Sequence, residues 1–258
     1  MVHPFHPIPP RLPPKLYLVP LATIVFAQPL PPNADRARTA VGLMYVTFLQ
    51  FALLTGISVL KLILGESNFE LTNYITIGEG ILSFVQLILY LVTAIFFIMW
   101  FRRAYNNLFI CGVQSLPYRE GWAAGGWFVP IISLYYPYKI MLNIWFGTQS
   151  ATRKTGERYE FEENANIGWW WAFWMIGSIV SNIHAQVALR GYFPLTQPGM
   201  IVMEFISDSS MCISAFLCWK MVKRMMILED VLALRYKEWL AYTTQAEGEA
   251  FLQQSPNN

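Results

Sequence analysis

Two acidic side chains lie within the last long apolar run of the sequence, and their type and spacing suit proton or cation chemistry. Glu204 and Asp208 are four residues apart, so a helix presents both on one face. A carboxylate inside a membrane is costly, and two ionised carboxylates on one face also repel each other. The pair therefore predicts a proton or cation site that faces the interior of a helix bundle.

A structural role for the same pair is the alternative interpretation. In one version the helix begins later and leaves Glu204 at the outer interface of the membrane. In the other, both carboxylates bond to neighbouring polar side chains and hold helices together. The candidate partners are Asn182, Ser178, Ser181 and Ser209. The sequence leaves both versions open beside the ion site.

His184 and Lys139 are further polar candidates in apolar surroundings. His184 is the one histidine within an apolar run, so it could be the single axial ligand of a haem, pigment or metal. Metal sites usually gather three or four ligands, so we expect no metal site, and the alternative is a hydrogen-bonded histidine near the outer end of its helix. Lys139 could neutralise a lipid headgroup, pair with a carboxylate such as Glu120, or snorkel to water.

Composition places these side chains in a membrane protein. The 258 residues are 55% hydrophobic and 13% charged, and the mean hydropathy is +0.38. Soluble domains carry about 25% charged residues. This excludes a soluble enzyme, a disordered tail and a nucleic-acid-binding protein, and the chain has no basic run that would draw nucleic acid. Its three cysteines, Cys111, Cys212 and Cys218, have no metal or disulfide spacing and are expected to be packing residues.

Four apolar runs are long enough to cross a membrane as helices, at about residues 40–64, 80–101, 167–189 and 199–219. Lys61, near the end of the first run, is expected to snorkel to water. Residues 65–79 follow it and predict a polar loop that ends at Glu79. The second run carries no charge and stops at Arg102 and Arg103, whose expected role is to fix the orientation in the membrane.

A fifth apolar stretch, residues 121–147, differs from the others. It contains two interior prolines, Pro130 and Pro137, the lysine Lys139 and many aromatic residues. Prolines break or kink a helix, and tryptophan and tyrosine favour the membrane interface. These residues predict an interfacial or re-entrant segment that does not cross. The fold prediction is therefore an all-α integral membrane protein with four transmembrane helices and one proline-broken segment.

The ends of the chain differ in composition from this helical membrane domain, which we place at residues 39–242. Residues 1–38 form a proline-rich extended arm that is not a signal peptide, because proline breaks the helix that such a peptide needs. The last apolar helix is expected to continue beyond the membrane over residues 220–242. Residues 243–258 are expected to be a frayed polar tail.

Basic residues predict the orientation. If residues 121–147 do not cross, 16 of the 18 Lys and Arg residues fall on one side, and the other two are Lys61 and Arg190. If that stretch crosses, the split is nearly even. The positive-inside rule therefore favours four spans with both termini in the cytoplasm.

The middle of the chain resembles a family of bacterial membrane proteins known only as a domain of unknown function, number four-three-two-eight. The resemblance extends over about 40–228 in layout and is most specific over residues 100–145. The residues that carry it are Arg103, Tyr105, Asn107, Trp122, Gly126, Trp127, Pro130, Pro137, Tyr138, Met141 and Trp145. It implies a small polytopic membrane protein of the bacterial inner membrane, and it implies no reaction or ligand. A proline-rich arm as long as this one departs from the family pattern.

Three functions remain open from the sequence. The first is a non-enzymatic accessory or scaffold subunit that contacts other membrane proteins through its arm and aromatic surfaces, with bound lipid but no indicated cofactor. The absence of nucleophile, zinc-protease and phosphate-loop motifs favours it over an enzyme. The second is a small ion- or proton-coupled transporter, channel or sensor built on Glu204 and Asp208. The third is a pigment- or haem-binding subunit that uses His184. Arg103 and Asn107, one helical turn apart, could also hold the broken segment in place.

Overall fold

The fold is all helical in the part of the chain that the structure, a computed structural model, describes: residues 29–64, 69–113, 116–152, 162, 165–190 and 197–254. Four long helices, α1, α2, α5 and α6, cover Ala34–Leu64, Phe69–Ile110, Ala165–Arg190 and Gln197–Gln254. Between α2 and α5 lie two short helices, α3 (Trp122–Gly125) and α4 (Tyr136–Ala151), with a 3₁₀ turn at Ile132–Leu134 between them. The all-α prediction is therefore confirmed.

Each of the four long helices is long and apolar enough to cross a membrane. Their apolar side chains are widely exposed; Ile63, for example, is 76% exposed and Ile81 is 66% exposed. Such exposure is expected of side chains that face lipid rather than water. The four predicted runs lie within these helices, and the chain is an all-α membrane protein.

Three helices extend further than the sequence indicated. Helix α1 begins at Ala34, so residues 34–38 of the predicted extended arm are helical. Helix α2 begins at Phe69, so Glu79 lies inside a helix and the prediction of a polar loop over residues 65–79 was wrong from Phe69 onward. Helix α6 continues to Gln254, so the backbone of the predicted frayed tail is helical over residues 243–254. Residues 1–28 of the predicted arm lie outside the described residues.

The described residues form two compact units. One unit contains Asp35–Phe101 and Glu163–Met226, and so most of the four long helices. Within it α1 is antiparallel to α2: Thr47 meets Thr93 near the middle of both helices, and Lys61 meets Glu79 near the C-terminal end of α1. Helices α5 and α6 are also antiparallel, because Ser207 Oγ donates to the Gly177 carbonyl and Ser214 Oγ donates to the Trp170 carbonyl.

The other unit contains Met1–Ala34, Arg102–Glu162 and Ile227–Asn258, and so the broken segment. Its core includes Leu108 of α2 and Ile140 and Ile144 of α4, which are 0% exposed. Pro137 lies in the first turn of α4, where a proline costs no backbone hydrogen bond. Gly147 allows α4 to approach α2 closely, since a Cβ there would lie 2.8 Å from Leu108 Cδ1.

The prolines have the effect that the sequence predicts: residues 121–147 are divided among α3, the 3₁₀ turn and α4. The longest of these elements has 16 residues. A helix of about 20 residues is needed to span the hydrocarbon core, so none of the three is a spanning helix by length.

Candidate functional site

The carboxylate of Glu204 lies within a cluster of charged side chains contributed by four helices of one unit. Glu204 Oε2 on α6 is 2.5 Å from Lys61 Nζ on α1. The same ammonium lies 2.5 Å from Glu79 Oε2 on α2. On the other side, Glu204 Oε1 is 3.5 Å from His184 Nε2 on α5. We call these four residues the charged cluster.

Lys61 is the centre of the charged cluster, and the prediction that it snorkels to water was wrong. Its side chain is 3% exposed, and it donates hydrogen bonds to both Glu79 and Glu204. A lysine can remain charged in such surroundings because two carboxylates face it. The position of Lys61 near the end of its run favoured snorkelling, whereas the long-range pairing that buries it could not be read from spacing.

Glu79 is the second cluster residue that the sequence did not single out. It is 8% exposed and lies on the α2 face that meets α1. One signal was available in the sequence: the first run carries a single lysine, and a lone intramembrane cation requires an acidic partner. That argument predicts a carboxylate near Lys61 without deciding between Glu79 and Glu204.

Asp208 lies one helical turn beyond Glu204 on the same face of α6, as predicted. It lines a cavity of about 640 Å³ that also contacts the charged cluster. All lining residues belong to the unit that contains the four long helices. Its polar wall includes Gln86, Tyr90, Ser178, Asn182 and Ser181. The carboxylate pair therefore faces the bundle interior.

The polar side chains considered above as partners of Glu204 and Asp208 do not bond to either carboxylate in the residues described. Ser209 Oγ donates to the carbonyl of Phe205 in its own helix. The serines that join α6 to α5 are Ser207 and Ser214, and they bond backbone carbonyls. Glu204 does join helices, but through Lys61 and His184.

His184 lies in the charged cluster, near the C-terminal end of α5. Its side chain is 25% exposed, and its Nε2 faces the Glu204 carboxylate. A histidine beside a carboxylate can take up a proton and form an ion pair. No group of three or more His, Cys, Asp or Glu side chains suitable for a metal occurs among the residues described.

Lys139, by contrast, lies in the unit that contains the broken segment. Its ammonium is 5.2 Å from the centre of the Tyr135 ring and 5.9 Å from that of Tyr138, which are cation–π distances. The carboxylate of Glu120, the acidic partner considered for Lys139, is 3.3 Å from Arg102 instead. Neither contact brings Lys139 to the charged cluster.

The residues that carry the family resemblance pack within the unit of the broken segment. Asn107 Nδ2 donates to the Pro31 carbonyl at 3.4 Å, so it contacts the chain before α1 rather than the broken segment. The tie to the segment comes from Tyr105, whose hydroxyl donates to the Tyr118 carbonyl at 2.9 Å. Trp145 Nε1 donates to the Glu162 carbonyl at 3.0 Å. The idea that Arg103 and Asn107 together hold the segment is not supported by these contacts.

Trp127 and Pro130 lie between α3 and the 3₁₀ turn, and Tyr138 lies in the first turn of α4. Gly126 permits a tight end to α3, because a Cβ there would lie 2.7 Å from the Trp122 carbonyl oxygen. These family residues therefore shape the broken segment.

Comparison with known families identifies the same resemblance over a shorter range. A family model described as Domain of unknown function (DUF4328) matches residues 73–226. The match begins near the start of α2, later than the residue 40 expected from the layout, and it includes Glu79, His184, Glu204 and Asp208 but not Lys61. Comparisons with curated proteins and with solved structures found no match.

Proposed function

The chain belongs to the family described as Domain of unknown function (DUF4328), and from the geometry of its charged cluster we propose that it is a proton-coupled membrane transport protein. One observation carries this proposal. The Glu204 carboxylate is shared between Lys61 and His184, and Asp208 lies one turn further into the same cavity. A carboxylate that accepts a hydrogen bond from an ammonium on one side and lies 3.5 Å from an imidazole nitrogen on the other is suited to gaining and losing a proton.

The charges of the site support proton or cation uptake. Glu79, Glu204 and Asp208 carry three negative charges when ionised, and Lys61 carries one positive charge, which leaves −2 while His184 is neutral. Uncompensated charge is costly within a membrane, so protons or a bound cation should reduce this excess. A proton on His184 or on a carboxylate reduces this excess by one charge.

Protonation of Glu204 would also change how the helices are held together. When Glu204 takes a proton, its attraction to Lys61 weakens, and the ammonium is left with Glu79 as its ionised partner. The contact between α1 and α6 then loosens while the contact between α1 and α2 remains. This gives two arrangements that differ by one proton, which is what a transport cycle or a sensor requires. Four helices are few for a solitary transporter, so the working form is a homo-oligomer. The protein is proposed to be non-enzymatic.

Proton flux in proteoliposomes tests this function. Purified protein is reconstituted with a pH-sensitive dye inside the vesicles, and a pH gradient is imposed across the membrane. We expect proton movement above that of protein-free vesicles, and we expect Glu204→Gln to reduce it at least about tenfold. Glu238→Gln is the matched control, because Glu238 is an exposed residue of the same helix that pairs with Arg235. Equal flux in Glu204→Gln and Glu238→Gln would remove the proposal.

An accessory or scaffold subunit is the second candidate, and a different feature favours it. The broken segment exposes large apolar side chains, with Phe128 76% exposed and Ile131 84% exposed. These residues suit contact with lipid or with another membrane protein. Gentle solubilisation of native membranes followed by sizing tests the role: co-migration with other proteins supports it, and migration at the mass of the protein plus detergent contradicts it.

The orientation is proposed on the basis of charge. We place both termini in the cytoplasm and the protein in a bacterial cytoplasmic membrane, because the positive-inside rule favours that arrangement. The charged cluster, at the C-terminal end of α1, then lies toward the extracytoplasmic side. Reporter fusions at each terminus, one active only in the cytoplasm and one only outside, give the orientation directly.

The pigment or haem alternative depends on His184 alone. Its Nε2 faces the Glu204 carboxylate, so ligation through that atom requires the ring to turn away from Glu204. A visible absorption spectrum of the purified protein decides this alternative, since a colourless preparation removes it.

A further inference from the structure

Gln86 is a buried amide with no partner. It lies in α2, is 7% exposed and lines the cavity beside the charged cluster. Neither its amide oxygen nor its amide nitrogen has a hydrogen-bond partner among the residues described. A buried polar group without a partner is costly, and native proteins rarely retain one without a reason. Gln86 lines the cavity, and a change of its side-chain rotamer would let the amide both donate to and accept from a polar ligand there.

Asp208 gives this cavity an available negative charge. The other two carboxylates of the site, Glu79 and Glu204, both bond to Lys61. Asp208 makes no ion pair and no hydrogen bond with any residue that the structure describes. The charged groups nearest to it on the packed helices are Lys61 of α1, Glu79 of α2 and His184 of α5, with Glu204 on its own helix. The cavity is therefore equipped for a cation.

Another part of the wall is apolar or aromatic. Phe51 and Leu54 of α1, Tyr90 of α2 and Met211 of α6 contribute to it. A volume of about 640 Å³ is in the range of small-molecule sites, which is roughly 300–1,000 Å³, and it far exceeds the space that a bare ion needs. An aromatic and aliphatic wall favours the organic body of a ligand.

Gln86 and Asp208 lie on the same side of the charged cluster. Helices α2 and α6 both run away from the Lys61 end, since Glu79 and Glu204 meet Lys61 while Thr93 meets Thr47 further along. Gln86 is seven residues beyond Glu79 and Asp208 is four beyond Glu204, which correspond to about 10 Å and about 6 Å of helix. Both residues therefore lie beside the deeper part of the cavity.

We propose that this cavity binds a small organic ammonium ion that carries a hydroxyl or amide group at its other end. The ammonium pairs with Asp208, the polar group bonds to the Gln86 amide, and the apolar body packs against Phe51 and Tyr90. This inference rests on the proposed transport function and names the class of solute transported. Binding of the cation places one positive charge beside the Asp208 carboxylate and so reduces the excess negative charge of the site.

Binding of radiolabelled tyramine to the protein in lipid nanodiscs tests the inference. Tyramine carries an ammonium, an aromatic body and a hydroxyl. We expect saturable binding of tyramine, about tenfold weaker competition by phenethylamine, which lacks the hydroxyl, and no competition by hydroxyphenylacetate, which carries a negative charge in place of the ammonium. These measurements use the unmodified protein. Absence of saturable tyramine binding to it, or equal competition by phenethylamine and tyramine, would overturn the inference.

Variants assign the two polar contacts. Gln86→Leu should weaken tyramine binding about tenfold and leave phenethylamine binding little changed, because phenethylamine makes no bond to the amide. Asp208→Asn should weaken the binding of both amines. The matched control is Gln50→Leu, since Gln50 bonds to the Leu82 carbonyl and does not line the cavity. Equal effects of Gln86→Leu and Gln50→Leu on tyramine affinity would contradict the inference.

The two proposals fail in different ways. Proton flux through the unmodified protein without any amine tests the charged cluster, whereas tyramine binding tests the cavity. Proton flux without amine binding overturns the solute class and leaves the proton function standing. Amine binding without proton flux supports the cavity as a binding site and removes the proton function.

Discussion

The ammonium of Lys61 lies 2.5 Å from the Glu204 carboxylate, which joins the end of α1 to the start of α6 across 143 residues of sequence. Both side chains lie in segments long and apolar enough to cross a membrane. Burial of a charge pair is costly, and the pair persists because each partner meets a second group, Glu79 for Lys61 and His184 for Glu204. Removal of any one of these four side chains therefore takes away a partner from at least one of the others.

Lys61→Met should be strongly destabilising. The substitution replaces lysine by an apolar side chain of similar length and leaves Glu79 and Glu204 buried without a cation. Breaking a buried pair on one side costs about 3–5 kcal/mol of unfolding free energy. Thermal unfolding of the detergent-solubilised protein measures the loss. Lys223→Met is the control, because Lys223 is exposed beside the Trp219 ring, and a change below about 1 kcal/mol is expected there.

The triple variant Lys61→Met, Glu79→Gln and Glu204→Gln should recover part of that stability, because no buried charge is then left without a partner. If it is no more stable than Lys61→Met alone, the loss arises from packing rather than from unpaired charge.

The hydroxyls of Thr47 and Thr93 should couple in a double-mutant cycle. They lie 2.9 Å apart, and the residues are 4% and 8% exposed. Thr47→Val leaves the Thr93 hydroxyl buried without its partner and should cost about 1–2 kcal/mol. Thr47→Val with Thr93→Val should cost less than the sum of the two single changes. Strict additivity in thermal unfolding measurements would show that this hydrogen bond contributes nothing between α1 and α2.

Two adjacent glycines in the broken segment should respond differently to alanine. A Cβ at Gly126 would lie 2.7 Å from the Trp122 carbonyl oxygen, whereas a Cβ at Gly125 meets nothing within 4 Å. Gly126→Ala should therefore destabilise the segment by about 1–3 kcal/mol. Gly125→Ala should be neutral or slightly stabilising. Limited proteolysis of residues 116–152 gives a local reading, and equal cleavage rates for the two variants would be inconsistent with the close approach at Gly126.

Cys111 should react slowly with maleimides. Burial raises the pKa of its thiol to about 12, and the thiolate is the reactive form. At about pH 8 only about one thiol in ten thousand is then ionised, and the rate should rise about tenfold for each pH unit until the pH approaches the pKa. Labelling is followed in a variant that combines Cys212→Ala with Cys218→Ala. A rate that levels off near pH 9, the ordinary range for a thiol, would contradict the shift.

Much of the architecture could be predicted from the sequence because it follows from local patterns. The apolar runs gave the spanning helices, and Pro130 and Pro137 broke residues 121–147 into short pieces, as proline does. Glu204 and Asp208 were found because a carboxylate in an apolar run is costly wherever its helix packs.

The rest of the site depends on contacts between distant segments. Lys61 near the end of its run satisfied the pattern of a snorkelling lysine, and only the packing of α1 against α2 and α6 turns it inward. Gln86 could not be identified from the sequence either, because a single amide in an uncharged apolar run is common. It becomes a candidate binding residue only because it lines a cavity whose wall three other helices complete. Pairing across 18 and 143 residues leaves no periodicity in the sequence.

The most direct test of the central claim, that the site takes up a proton inside the membrane, is infrared difference spectroscopy of the protein in lipid between about pH 8 and about pH 5. We predict a band of a protonated, poorly hydrated carboxyl group in the unmodified protein and in Glu238→Gln. We predict that this band is absent when Glu204→Gln and Asp208→Asn are combined. A spectrum of that combined variant identical to the spectrum of the unmodified protein would contradict the account.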